Sequence, residues 1–106
     1  MVRRSNLNYE REGLFAVYIM TNFTNTTLYT GFSSELKVRV WQHKQKLVSG
    51  FTQKYNLTKL VYYEIGDDYD SMLAREKQIK AGSRADKVRL IKSINPKWKD
   101  LYDDLD

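Results

Sequence analysis

Apolar and polar positions divide the chain into six elements. Leu14 to Met20 is a short run of apolar, β-branched and aromatic residues, and Thr27 to Phe32 is a second. The residues between them, Thr21-Asn22-Phe23-Thr24-Asn25-Thr26, are turn formers, so the two runs predict a β-hairpin. With a loop symmetric about Phe23 and Thr24, Tyr18 lies opposite Tyr29 and the two phenols share a face. Beyond Gly31, Ser33 or Ser34 is placed to cap a helix on which Leu36, Val40, Leu47 and Phe51 keep a helical period. His43 borders its apolar sector and Arg39 lies just beyond, one turn earlier, so both project from the margin of the buried face. Ser49 to Asn56 reads as a loop, and Lys59 to Ile65 as a third strand in which Leu60, Tyr62 and Glu64 alternate with Val61, Tyr63 and Ile65.

The acidic turn Gly66-Asp67-Asp68 puts Asp at the N-terminus of a helix that runs to about Lys80, with Gly82 as its C′ glycine. Ser83-Arg84-Ala85-Asp86 is a capping box for a last helix, which extends to about Ile94 and is stopped by Asn95-Pro96. Trp98, Leu101 and Tyr102 of the tail are expected to pack back on the body. The order strand, strand, helix, strand, helix, helix predicts an α/β fold of the α+β type, a three-stranded, mainly antiparallel sheet flanked by helices. Residues 1–12 are expected to form a flexible leader, residues 13–102 a single domain and residues 103–106 an acidic tail.

Composition narrows the chemistry. A chain of 106 residues supports one modest core, so a site must lie on that core's surface. With no cysteine and one histidine, disulfides, cysteine-bound zinc and multi-histidine metal sites are excluded. A metal would rest on carboxylate and water oxygen, which suits Mg²⁺ or Mn²⁺. The first twelve residues carry three arginines and no apolar core, and no later run is long enough to span a membrane. A cytoplasmic location without a membrane partner is therefore expected, and the Asn-x-Thr sequons at Asn22, Asn25 and Asn56 read as turns.

The net charge of +5 is unevenly spread. Leu36 to Tyr63 holds six basic residues and no acidic one, and Arg75 to Lys99 holds nine basic against two acidic, while acids gather at Glu64 to Asp70 and Asp100 to Asp106. A polyanion would meet two basic segments and be repelled elsewhere, the pattern of a nucleic-acid binder with a defined face. Glu76 stands out against this background. It falls inside the apolar face formed by Tyr69, Met72, Leu73 and Ile79, where an unpaired carboxylate costs several kcal/mol. Either Lys80 compensates it, through an i,i+4 pair worth only about 0.3–0.5 kcal/mol when exposed, or a divalent cation does.

Taken together, Ala16-Val17-Tyr18, Tyr29-Thr30-Gly31, Arg39, His43, the segment Ala74 to Lys80 and the tail Asn95-Pro96-Lys97-Trp98-Lys99-Asp100-Leu101 resemble the GIY-YIG nuclease domain family in its small stand-alone bacterial form. The signature tyrosines are eleven residues apart and Arg39 lies ten beyond the second, as in the family. Ala16, Val17 and Thr30 are small departures from the two triplets.

The resemblance implies a metal-dependent endonuclease of low sequence specificity that acts on DNA, with RNA left open, in DNA repair or recombination. It implies that Glu76 holds the metal, Tyr18 and Tyr29 activate or hold water, Arg39 binds phosphoryl oxygens and His43 orients a phenol or water. Asn95 matches a late active-site Asn, although Asn before Pro is also ordinary helix-stop chemistry. Lys37, Lys44, Lys46, Lys54, Lys77, Lys80, Arg84 and Lys87 would contact flanking phosphates without reading sequence. A monomer or weak homodimer is expected, and the rival reading is a nucleic-acid-binding module that keeps the fold without turnover.

Overall fold

The computed structural model describes residues 13–105, so the leader expected over 1–12 lies outside the described residues. Strands β1 (Phe15–Thr21), β2 (Leu28–Ser33) and β3 (Lys59–Gly66) form one antiparallel sheet in the order β2-β1-β3. Helices α1 (Leu36–Lys44) and α2 (Phe51–Lys54) lie between β2 and β3 in the chain, and α3 (Tyr69–Ala81) and α4 (Arg84–Ile94) follow β3. A 3-10 turn, Leu101–Asp104, closes the chain.

The uninterrupted apolar run of β1 follows from its central place, because residues 16–21 are buried and successive side chains feed opposite faces. Ala16, Tyr18 and Met20 join Leu36, Val40, Leu57, Leu60 and Leu105 in one core; Val17 and Ile19 join Val61, Tyr62, Ile79 and Ile91 in the other. Helix α3 packs on β1 and β2, and α4 on β3. The tail packs back as expected, Leu101 and Tyr102 against the first core and Trp98 against the second. Packing continues to Leu105, which is buried. No helix among the described residues is long and apolar enough to cross a membrane.

Several local expectations need correction. In the hairpin Tyr18 pairs with Gly31 and Tyr29 with Met20, two residues from the symmetric register. The Asn22 side chain gathers the loop by accepting from the backbone N–H of Thr26 at 2.8 Å and of Thr27 at 3.2 Å, and Asn25 turns the chain at φ 60°. An offset of two keeps both phenols on one face. Alternation in β3 is broken by a bulge, since Ile19 pairs with Tyr62 and Met20 with Leu60, which leaves Val61 as the extra residue. Leu60 and Tyr62 therefore serve different cores.

Helix α1 stops at Lys44, short of Leu47 and Phe51, because Lys46 takes a left-handed φ of 58°; Leu47 is left exposed and Phe51 opens the separate short helix α2. Its N-cap is Glu35 with no side-chain bond, while Ser33 Oγ accepts from the Glu35 N–H at 2.9 Å just before the helix. Gly82 is not a left-handed cap either, having φ −74°. A Cβ there would sit 3.2 Å from Asp86 Oδ2, so glycine serves the tight corner where the capping box of Ser83 and Asp86 closes on α3. The other helix start is as expected, with the Asp68 carboxylate accepting from the Ser71 N–H at 2.8 Å.

Candidate active site

Tyr18 is fully buried, and its position rests on Gly31. A Cβ on Gly31 would lie 2.5 Å from both Cζ and Oη of Tyr18, so the phenol fits across the edge strand β2 only where its cross-strand partner has no side chain. Thus placed, Tyr18 Oη meets His43 Nε2 at 2.9 Å, and His43 Nδ1 meets Thr52 Oγ1 of α2 at 3.1 Å. Tyr29, half-buried on the same face, holds its ring 6.4 Å from that of Tyr18 and 5.8 Å from the imidazole, and stacks on Phe51 at 6.4 Å. His43 is itself buried, at 2% exposure, rather than at the margin of α1.

Burial pushes the Tyr18 phenol well above the usual tyrosine range, helped by the neighbouring Tyr29 and by the Glu76 carboxylate; the Arg39 guanidinium opposes them through its charge and a side-chain hydrogen bond. His43 is pushed down to about 4, first by burial and then by Arg39. The phenol is therefore protonated and the imidazole neutral at physiological pH. A protonated phenol donates to Nε2, which leaves the ring proton on Nδ1 with Thr52 Oγ1 as its acceptor.

Arg39 and Glu76 both act on the Tyr18 hydroxyl, so Tyr18, Tyr29, Arg39, His43 and Glu76 share one neighbourhood although they come from two strands and two helices. Glu76 is 9% exposed on α3, and Lys80 Nζ lies 3.0 Å from its Oε2. The Lys80 side chain is half exposed, so this pair alone contributes a few tenths of a kcal/mol. No group of three or more His, Asp or Glu that could hold a metal ion occurs among the described residues. One buried carboxylate with hard oxygen donors fits Mg²⁺, which commonly keeps several waters and shares one or two carboxylates with a substrate phosphate.

The hydrogen bonds of the Asn95 side chain go to groups other than these. Its Nδ2 donates to the Val61 carbonyl at 3.1 Å and to Lys99 O at 2.8 Å, and its Oδ1 accepts from the Lys99 N–H at 3.0 Å. It serves the carbonyl of the bulged residue and the C-terminal turn, at the sheet edge opposite β2. Several cations read as phosphate contacts are also engaged. Lys44 donates to Thr58 O at 3.0 Å and pairs with Asp100; Arg84 donates to Asn25 O and Thr26 O; Lys87 donates to Gly82 O at the end of α3. Lys54 lies over the Tyr55 ring, whereas the ammonium groups of Lys37, Lys46 and Lys77 have no ion-pair partner among the described residues. Thr52 escaped the sequence reading because a threonine in a polar loop carries no signal of the imidazole it will meet.

The depressed His43 fixes a pH dependence. Between about 6.5 and about 4 the unfolded chain holds the proton that the folded imidazole refuses, so this contribution to stability is full above that window and is lost as pH falls through it. In an NMR titration the His43 ring signals should stay in the neutral position down to about pH 5 and move with a midpoint near 4. A midpoint near 6.5 would contradict the buried, phenol-bonded imidazole.

The family model for the GIY-YIG catalytic domain matches residues 14–89. A UPF0213 protein of Syntrophus aciditrophicus is 40% identical over 81 residues, which cover 76% of this chain and 91% of the relative. A UPF0213 protein of Staphylococcus aureus is 34% identical over 76 residues, 72% of this chain and 92% of its own. The solution NMR structure of a UPF0213 protein from Bacillus halodurans shares the fold, with a TM-score of 0.54 over 82% of this chain and 92% of that one, at 20% identity. This chain belongs to the GIY-YIG catalytic domain family.

Proposed function

We propose that the protein is a metal-dependent endonuclease that hydrolyses phosphodiester bonds in DNA with little sequence preference. The observation that carries this reading is the Tyr18 hydroxyl, which is hydrogen-bonded to a neutral imidazole and lies within the fields of Arg39 and Glu76. A cytoplasmic role in DNA repair or recombination, as a monomer or weak homodimer, remains the expectation.

Within this reading Arg39 binds the scissile phosphate with its forked, permanently charged guanidinium. Tyr18 Oη accepts a proton from the attacking water as its own proton passes to His43 Nε2, so no phenolate need persist at a hydroxyl whose ionisation burial opposes. Thr52 keeps the Nδ1–H oriented throughout. Burial is the larger cause that holds His43 down; the phosphate would offset only the second, the Arg39 charge. Tyr29, half-buried against Tyr18 and His43, is placed to position the water. Glu76 would hold Mg²⁺ or Mn²⁺, and the ion would supply positive charge to stabilise the transition state and the leaving group.

The Lys80–Glu76 pair is the observation that favours the rival binding module, because it partly neutralises the carboxylate without metal. Glu76→Ala separates the two. In Mg²⁺ the wild type should nick supercoiled plasmid, and the variant should lose about two orders of magnitude in rate or more. Its melting temperature in metal-free buffer should hold or rise, since a buried carboxylate gives way to a strong helix former. Undiminished nicking by the variant sinks the metal role of Glu76, and a wild type inactive on every DNA form favours the binding module.

Flanking contacts should come from the lysines that have no ion-pair partner among the described residues. Replacing Lys37, Lys46, Lys54 and Lys77 together by Ala should weaken DNA binding equally for unrelated sequences and flatten its salt dependence, by about one unit of slope for each phosphate deprived of its lysine. A salt slope identical to that of the wild type would show that these lysines do not meet the backbone.

A further inference from the structure

Arg39 belongs to a second feature that the proposed chemistry does not use. Arg39 lines a cleft of about 330 Å³ together with Phe15, Phe32, Glu35, Val38 and Tyr69. Phe15 and Phe32 stack with ring centroids 5.9 Å apart at 11°, and Tyr69 stands edge-on to both, 5.4 and 5.6 Å away. Tyr69 is 51% and Val38 42% exposed, so the corner presents aromatic and aliphatic surface to solvent. The aromatic corner at Tyr69 carries no cation of its own and Glu35 lines the same cleft, so a phosphate is favoured only at its Arg39 end. Among the described residues that line the cleft, Arg39 is the lone cation.

A neutral aromatic ring joined to a phosphate that reaches Arg39 matches this surface, and a nucleotide has that construction. We propose that the cleft receives the base of the nucleotide next to the phosphate held by Arg39, so that the strand is unpaired at that position. The inference rests on the nuclease reading for the identity of the phosphate site. A base within a continuous duplex keeps its faces in its own stack and cannot offer them to Tyr69, whereas an unpaired base can.

The other flank of the site is built alike. Phe51 and Tyr55 are 47% and 42% exposed, their rings lie 4.8 Å apart, Phe51 stacks on Tyr29, and Lys54 sits 5.3 Å from the Tyr55 ring. Half-exposed aromatics beside Arg39 and beside Tyr29, with Lys54 over one of them, form a stacking platform of the kind that suits a single strand.

The test is a binding measurement in chelator, without turnover, using fluorescence anisotropy of short labelled oligonucleotides. The probes are single-stranded DNA, the same strand in duplex, the single strand with one abasic nucleotide stepped along it, and the RNA equivalent. The single strand should bind more tightly than the duplex, and Tyr69→Leu should weaken single-strand binding about 5- to 100-fold while leaving duplex binding unchanged. One abasic position should reproduce that loss in the wild type and cost nothing further in Tyr69→Leu. Tyr69→Phe, which keeps the ring and its contacts with Phe15 and Phe32, should bind like the wild type and thereby exclude misfolding as the cause. Equal binding of single strand and duplex, or no effect of Tyr69→Leu, overturns the proposal. RNA bound with the same Tyr69 dependence supports the cleft and assigns the polymer to RNA as well. Because no cleavage is needed, a protein that nicks plasmid but fails here loses only the base cleft, and one that passes here but never nicks loses only the nuclease reading.

Discussion

The site depends on a phenol lying across a strand that has no side chain to stop it. Tyr18 arises from the central strand and reaches over the edge strand at Gly31, where even a methyl group would overlap its ring and hydroxyl. That passage carries the hydroxyl to His43 on α1 and into range of Glu76 on α3, elements that never adjoin in sequence. The fixed interval between the two triplets acquires a physical meaning here. The hairpin must bring the glycine of one strand opposite the tyrosine of the other, and the Asn22-centred loop sets that register.

Around this hydroxyl the electrostatics are opposed rather than relaxed. Burial and the Glu76 carboxylate resist ionisation of the phenol, Arg39 favours it, and the same guanidinium together with burial keeps the imidazole neutral. In the proposed mechanism a substrate phosphate would meet Arg39 and a cation would meet Glu76, a place that Lys80 fills here through a half-exposed pair. Such unresolved pairings are common where a fold gives up local stability for chemistry.

Much of this was legible in the sequence because period and spacing report directly on register. The runs at residues 14–20 and 27–32, the capping box at Ser83 and the Glu76 position on an apolar helix face each translate into one structural consequence. What escaped depends on contacts between distant segments. The bulge at Val61 changes the side-chain phase of β3, and Asn95, which matched a catalytic motif, supplies the donor for that residue's carbonyl. Lys44, Arg84 and Lys87 count as cations in any charge profile but are occupied with Asp100 and backbone carbonyls at long or medium range. Leu47 kept the helical period of α1, yet the left-handed turn at Lys46 had already ended the helix.

The claim that one hydroxyl organises the site is tested most directly by Tyr18→Phe, which removes a single oxygen and keeps the ring that packs over Gly31. The account predicts a plasmid-nicking rate lower by about two orders of magnitude or more, a folded variant whose melting temperature falls by several degrees because buried Nε2 loses its donor, and His43 ring signals altered by loss of that partner. A variant that nicks DNA at the wild-type rate with an unchanged His43 spectrum would contradict it.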